Sequence, residues 1–415
     1  MVATMTADPA IGVDRKSLQS ALKRIGSVIP SKSAKPILQC AHLECSGGML
    51  RLSATDMDIS VSMTINCDGE VCPCVVDARE LTRRINANKN PTCSMRYDDE
   101  RGAIVVNGGR VEHFVHTMAV EEFPVVPNRP RGLSIQIPAV TLQNALKTCN
   151  SIAAREPSRY AINGILLESD SAGTRLVATD GRRMAVVEAN GSTGNFLGSV
   201  VLPLRFASLV AKFIDAKRED DVDIFVDEDS TPDGEEPKPA TVFVCGTDWM
   251  LTSQAIEGKF PTYRDVIPSA GSKFVVNRAE LVSLVSEVSI AADSLNKSVL
   301  LRFSDSALHV STSSPGCGES SGSMETVFEG GGDEAIVLGV NPSFLLDAVK
   351  SFTADEIVFD IRQNTLCQQS NSVRSSPLCI RERGSDSMTH VVMPVSLALP
   401  PSLETLGSNC AALAS

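Results

Sequence analysis

Part of this chain is written twice at a fixed interval. Ser17-Leu18-Gln19-Ser20-Ala21-Leu22-Lys23 returns as Thr141-Leu142-Gln143-Asn144-Ala145-Leu146-Lys147 after 124 residues, and Ala54-Thr55-Asp56 returns as Ala178-Thr179-Asp180 at the same step. Phe123-Pro124 returns as Phe260-Pro261 after 137 residues. A fainter third copy opens at Glu280-Leu281-Val282-Ser283-Leu284-Val285-Ser286. That period is far too long for a solenoid, so each copy can bury a core of its own. Three copies in 415 residues imply three domains of one fold, at 1–134, 135–270 and 271–397, with 398–415 as a flexible C-terminal tail.

Within each copy the pattern predicts a helix, two or three strands, a second helix and further strands, an α+β architecture of antiparallel sheets. The helices are expected at 14–35, 77–90, 139–159, 203–218, 277–297 and 341–355. In the first, Asp14 is placed to cap the N-terminus, and Leu18, Leu22, Ile25 and Ile29 recur on one stripe. Lys16, Ser20, Lys23 and Ser27 then fall on the opposite face, short and basic. The second copy repeats this, with Leu142, Leu146 and Cys149 inward and Asn144 and Lys147 outward. Asp77, Pro203 and Asn341-Pro342 open the second helices. Strands are expected at 37–43, 103–106, 164–167, 222–226, 299–303 and 335–338. The acidic, Pro-rich run 227–240, the Ser/Gly-rich run 311–332 and the tail read as loops.

The net charge of −12 argues against a nucleic-acid partner until its distribution is resolved. The six expected helices together carry +10, and the remainder carries −22. Basic helices beside acidic strands and loops imply one positive and one negative surface. An apolar content of 43% and no apolar run of spanning length predict a soluble protein, and the N-terminus lacks a signal-peptide pattern, so the cytoplasm is expected.

No catalytic constellation is visible. The twelve cysteines include one C-x-C, Cys72-Pro73-Cys74, which alternation would place on one strand face, but no paired C-x2-C knuckles. They read as buried or half-buried thiols in a reducing compartment. The five histidines, His113-x-x-His116 among them, lie in no nucleophile or metal motif. No metal, no cofactor and no enzymatic activity are expected. A cysteine-dependent metal or redox enzyme, and a three-domain scaffold that never encircles DNA, are the readings from other classes.

Four motifs then coincide. Thr179-Asp180-Gly181-Arg182-Arg183-Met184-Ala185 resembles the T-D-G-x-R-L-A signature of the bacterial DNA sliding clamp, the beta subunit of the replicative DNA polymerase III holoenzyme. Asn163-Gly164-Ile165-Leu166-Leu167-Glu168, the run from Glu257-Gly258-Lys259-Phe260-Pro261 to Ile267-Pro268, and Val391-Val392-Met393-Pro394-Val395 resemble the same family, in the same order. The resemblance spans about residues 10–397 and is faintest in the third copy. It implies three copies of a DNA-clamp (processivity) fold, each with two inner helices and outer antiparallel sheets. It also implies a homodimeric ring that encircles duplex DNA without reading sequence and tethers the polymerase, and which clamp-loader and repair proteins engage through short peptides.

Carried over by position, the resemblance assigns a peptide cleft to Ile162, Thr179, Gly181, Arg182, Arg183 and Met184, together with Pro261, Val266, Val391, Met393, Pro394 and Val395. Arg182 stands where the family often has His, and Asp265 where a basic residue is common. The candidate DNA contacts are Lys16, Lys23, Arg24, Lys32, Arg83, Arg84, Lys147, Tyr160, Arg205, Lys212 and Lys350, of which Lys32 and Tyr160 match family contact positions. Glu287 is expected on an inward face of the third copy, which makes the basic surface lopsided. The dimer contact is expected between an edge strand near Val111 to Thr117, with His113 and Val115, and the region of Ile290 and Ala291.

Overall fold

The structure, a computed structural model, describes residues 10–107, 110–156, 161–215, 217, 221–227, 239–267, 271–292, 298–314, 316, 318–330, 336–362 and 376–395. Tyr160, residues 228–238 of the acidic run and the tail 398–415 lie outside the described residues. Six α-helices occur among those described: α1 (Arg15–Ile25), α2 (Ala78–Ala87), α3 (Ala139–Ile152), α4 (Leu204–Phe213), α5 (Arg278–Val288) and α6 (Pro342–Ser351). Two belong to each sequence copy.

Local chemistry starts four of these helices. The Asp14 carboxylate accepts from the backbone N–H of Ser17 at 2.8 Å, and that of Asp77 from Arg79 and Glu80 at 2.9 and 2.8 Å. Asn277 and Asn341 cap α5 and α6 in the same way. All six helices end earlier than their periodicity predicts. At α1 the N–H groups of Ser27 and Val28 turn back onto the carbonyls of Arg24 and Ile25 at 3.0 Å each, an i to i+3 closure that stops the helix while Val28 continues the buried stripe. The apolar pattern therefore outlasts the helix, and Ile29 sits beyond it.

The chain divides into two compact units. The first comprises Met1–Asn150, Gly164–Leu176 and Ala189–Gly258. It holds a thirteen-stranded sheet that runs through both of the first two sequence copies. Leu18, Ile25, Leu81 and Ile85 from α1 and α2 are fully buried, each contributing about 1.5–3 kcal/mol of burial free energy. Gly164 pairs with Pro203 across the two strands Gly164–Asp170 and Gly198–Pro203. A Cβ at Gly164 would lie 2.6 Å from Val201 Cγ1 and 2.7 Å from the Leu202 carbonyl oxygen, so this motif glycine permits a close strand approach.

The second unit comprises Ser151–Asn163, Val177–Glu188 and Lys259–Ser415. Its strands Arg183–Glu188, Met388–Val392, Leu378–Glu382, Glu356–Ile361, Ser272–Asn277 and Val327–Gly330 follow one another in one sheet, and Gly318–Glu325, Ala307–Ser314, Val299–Phe303 and Ile336–Val340 form another. Phe274, Phe303 and Phe359 lie at its centre, with ring centroids 4.9 and 5.2 Å apart in the two successive pairs.

Each unit contains one junction between a strand that follows a Thr-Asp turn and the last strand of the next sequence copy. In the first unit Ile59 faces Ser253 and Met63 faces Trp249, antiparallel. In the second, Arg183 faces Val392 and Val187 faces Met388, antiparallel. Shifting Ile59 by the 124-residue repeat gives Arg183, so the two registers are the same.

Three expectations are corrected. The strand expected at 37–43 begins only at Cys40, because Pro36–Gln39 forms a 3-10 turn in which the Leu38 N–H bonds back to the Lys35 carbonyl. The Ser/Gly-rich run 311–332 is largely strand, with Ala307 through Ser314 paired residue by residue to Glu325 through Gly318. Backbone pairing needs no apolar side chain, and small residues here admit a helix: a Cβ on Gly322 would come 2.6 Å from Leu284 Cδ1 of α5. Cys72 and Cys74 do not share a strand face, because the strand starts at Cys74; Cys74 is buried and Cys72 exposed.

Candidate nucleic-acid face and partner cleft

The repeated Ala-Thr-Asp tripeptide folds into the same turn in both copies. Thr55 Oγ1 donates to the Ile59 carbonyl at 3.0 Å and accepts from the Met57 N–H at 3.1 Å, while Asp56 Oδ1 accepts from Asp58 and Ile59 at 3.1 and 2.8 Å. Thr179 Oγ1 donates to the Arg183 carbonyl at 2.8 Å and accepts from the Gly181 N–H at 3.1 Å, while Asp180 Oδ1 accepts from Arg182 and Arg183 at 2.9 Å each. The third turn position is left-handed in both, φ 85° at Met57 and 82° at Gly181. Glycine takes this conformation freely and methionine does not, which explains the Gly of the second copy. The Thr hydroxyl and the Asp carboxylate thus brace the turn from both sides.

In the second unit that turn anchors the candidate cleft. Arg183 Nε donates to Asp180 Oδ2 at 3.1 Å, Nη1 to Asp347 Oδ2 of α6 at 2.6 Å and Nη2 to the Ser151 carbonyl at 3.0 Å. Its guanidinium lies 4.6 Å from the Phe344 ring centroid. Arg183 therefore holds the turn, the end of α3 and the Phe344–Asp347 face of α6 together. The Met393 N–H donates to the Arg182 carbonyl at 2.8 Å, and the Val395 N–H to the Gly339 carbonyl at 2.9 Å, fixing the segment after the last strand. The carbonyls of Ile162 and Thr179 share the Ala154 N–H at 3.2 Å, and the Ala161 N–H reaches the Lys259 carbonyl at 3.4 Å.

Val266, Met393 and Val395 are exposed and apolar; the last two follow the last strand, and Val266 ends the short turn Tyr263–Val266. Ile162, Pro261 and Pro394 are half-buried, Met184 and Val391 are buried, and Gly181 and Arg182 face solvent. His390, on the strand Met388–Val392, is 1% exposed, with Nε2 2.8 Å from Ser351 Oγ and its ring edge-on to Phe352. Burial holds its pKa down to about 4, helped by the Arg183 cation and opposed by Asp347. The imidazole is neutral near pH 7 and belongs to the packing between α6 and the last strand.

The candidate DNA cations separate into two groups. Lys16, Lys23, Lys32 and Lys212 are exposed in the first unit, as are Ser20 and Ser27 beside the first two, and Lys350 is exposed on α6 in the second. Lys147 is exposed and donates to Gln143 Oε1 at 2.8 Å, and Arg83 is exposed 3.4 Å from Glu80. The other three are committed within the fold. Arg24 lies 4.6 Å from the Phe213 ring centroid, donates to the Phe213 carbonyl and sits 3.8 Å from Asp248. Arg84 is paired with Glu80, and Arg205 with Asp56. The sequence reading missed Arg79, whose Nη2 holds the Ser31 carbonyl at 2.8 Å and so fixes the turn that carries Lys32. On α5 the exposed face carries Ser283 and Glu287, hydrogen-bonded at 2.7 Å, and no lysine.

At the expected dimer contact, Glu112–Met118 pairs with Ala103–Asn107 along residues 112–116, and with Cys74–Asp77 only at Thr117 and Met118. Among the described residues its other edge is open over 112–116. Val115 is buried and His113 half-buried. In the second unit, Gly318–Glu325 is an edge strand beside the turn Ser289–Ala291. There Ala291 is buried, and Ile290 is 81% exposed. No group of three or more His, Cys, Asp or Glu among the described residues is arranged to hold a metal. No helix there is long and apolar enough to cross a membrane.

Comparison with known proteins covers nearly the whole chain. Models of the N-terminal, central and C-terminal domains of the DNA polymerase III beta subunit match residues 10–127, 136–262 and 264–396. A beta sliding clamp of Pseudomonas aeruginosa is 25% identical over 390 residues, covering 93% of this chain and 99% of the relative. One of Rickettsia bellii is 26% identical over 402 residues with the same coverage. In three dimensions the DNA polymerase sliding clamp of Bacillus subtilis matches with a TM-score of 0.79 at 18% identity, over 94% of this chain and all of that one. The Pseudomonas aeruginosa clamp bound to griselimycin matches with a TM-score of 0.78 at 22% identity and the same coverage.

Proposed function

This chain belongs to the DNA polymerase III beta-subunit family, the beta sliding clamps, and from that premise we infer that two copies close head to tail into a ring around duplex DNA. The observation that carries the reading is the repeated junction. Two of the three sequence copies hand a post-turn strand to the last strand of the next copy, in one register. Among the described residues, the third copy offers the equivalent strand, Gly318–Glu325, unpaired on that side, and the first copy offers the equivalent last strand, Glu112–Met118, with its edge open over 112–116. Each open edge is the missing partner of the other, so a second chain satisfies both, at both ends.

The register follows. His113 occupies the place of Leu251 and His390, and Ser320 that of Val61 and Ala185, so His113 of one chain lies opposite Ser320 of the next and Val115 opposite Gly318. Pairing there also brings a neighbour to the exposed Ile290. Native mass measurement tests the dimer: at micromolar concentration the expected species is a dimer, and Ile290→Asp shifts it to monomer. A monomeric parent at that concentration contradicts the reading.

Lys16, Lys23, Lys32, Arg83, Lys147, Lys212 and Lys350 are the side chains proposed to face DNA, which they attract diffusely without reading bases, as sliding requires. Arg24, Arg84 and Arg205 are proposed to shape that face. The exposed apolar side chains Val266, Met393 and Val395 are proposed to receive short partner peptides from the polymerase, the clamp loader and repair proteins. The protein acts without a catalytic site of its own, in the cytoplasm, on the three domains 1–134, 135–270 and 271–397.

A further inference from the structure

The first unit holds a thiol pair that clamp function leaves unused. Cys45 and Cys67 have their Sγ atoms 3.4 Å apart, already at van der Waals contact. Cys45 lies near the end of the strand Cys40–Ser46, and Cys67 lies where Ile59–Gly69 leaves Met49–Thr55 and joins Ala10–Asp14. The Cys67 N–H bonds to the Gly48 carbonyl at 2.9 Å, which holds the hairpin tip against this strand. Cys45 is half-buried and Cys67 buried, so one sulfur of the pair is open to small solutes and the other is shielded.

We propose that Cys45 and Cys67 form an oxidation site that closes to an intrachain disulfide when hydrogen peroxide reaches Cys45. The Cys45 sulfur attacks the peroxide O–O bond: an S–O bond forms, the O–O bond breaks, one water leaves and the sulfur is oxidised by two electrons to a sulfenic acid. The Cys67 sulfur then attacks the Cys45 sulfur; the S–S bond forms, the S–O bond breaks, and hydroxide leaves with the Cys67 proton as a second water. The two sulfurs already touch, so closure needs a side-chain rotation and an approach of little more than an ångström, to the usual bond length of about 2.05 Å. Burial, together with neighbouring Cys45, pushes the Cys67 thiol up to about 12, which keeps it protonated and leaves Cys45 to meet the oxidant first; contact with Cys45 at 3.4 Å is what makes Cys67 the partner in the second step.

Two other thiols compete. Cys74 pairs with Leu43 across the neighbouring strand, diagonal to Cys45, and is buried; Cys72 is exposed. The test must separate these from Cys67. Cleavage after Arg51 parts Cys45, with Cys40 on the same peptide, from Cys67, Cys72 and Cys74; cleavage before Asp68 then isolates Cys67, and loss of the link in Cys45→Ser separates Cys45 from Cys40. The full-length protein is exposed to hydrogen peroxide, alkylated without reduction and mapped with both proteases. The expected product is a Cys45–Cys67 linked peptide, about 2 Da lighter than the sum of its parts because two hydrogens are lost. It is removed by dithiothreitol and by either Cys45→Ser or Cys67→Ser, and kept in Cys72→Ser. Cross-linking also raises the melting temperature of the parent, reversibly, and leaves that of Cys45→Ser unchanged. Cys45→Ser at a half-buried position keeps the test open if Cys67→Ser fails to fold. Linkage of Cys45 to Cys74, or oxidation that stops at sulfinic acid or at Cys72 with no Cys45–Cys67 peptide, overturns the proposal.

Discussion

Removing Lys23, Lys32 and Lys147 together tests the nucleic-acid face with little structural damage. All three are exposed, and of their side-chain contacts only the Lys147–Gln143 hydrogen bond is local structure, between neighbours on one helix turn. Replacement by alanine should therefore change folding stability by no more than about 0.5 kcal/mol per site. The effect on DNA is larger. Each phosphate neutralised contributes about 0.9 to the slope of log affinity against log salt. Three lysines in each of two chains are six charges, so the triple variant should lose up to about 5 from that slope. Between about 50 and 200 mM salt this corresponds to roughly a thousandfold in affinity if all six meet phosphate. The assay is fluorescence anisotropy with duplex DNA over a salt series, with melting temperature as the folding control. An unchanged slope at an unchanged melting temperature refutes the assignment of this face.

Three further outcomes follow from the geometry. Arg183→Met removes donors from Asp180, Asp347 and the Ser151 carbonyl and should lower stability by about 1–3 kcal/mol, read by denaturant melts, while weakening affinity for a polymerase-derived peptide. His390 has a folded pKa near 4, below the ordinary value of 6.5, so the unfolded chain binds the proton first on acidification; its contribution to stability is complete above about pH 6.5 and is lost as pH falls toward 4, and His390→Gln should flatten that part of the melting-temperature profile. Gly164→Ala should destabilise by about 1–3 kcal/mol, because the Leu202 carbonyl that the methyl would strike is held in the strand pair; a melting temperature equal to the parent's would contradict the close approach.

What could be read from the sequence was local. Asp14 and Asp77 cap the helices they precede because a cap depends on residues two or three positions away, and the stripe Leu18, Leu22 and Ile25 turned inward because helix periodicity alone orients it. The exposed Lys16 and Lys23 follow from the same geometry. Arg24, one position further, could not be placed this way. Its surroundings are Phe213 and Trp249, brought near by strand pairing about two hundred residues along the chain. Arg183 likewise matches a motif by position, while its work depends on Asp347 and Phe344, which no local pattern connects to it. The run 311–332 misled because Ser and Gly are weak strand formers. There the pairing partner and the helix above decide the conformation, and neither is visible in the run itself.

The central claim is topological, and retention on DNA of defined shape tests it most directly. The clamp is loaded by a clamp loader and ATP onto a nicked circular plasmid, freed of unbound protein by gel filtration at moderate salt, and followed before and after the plasmid is cut once. A closed ring stays with the circle and is lost from the linear product by sliding off its ends. Equal retention on both, or on neither after loading, would contradict it.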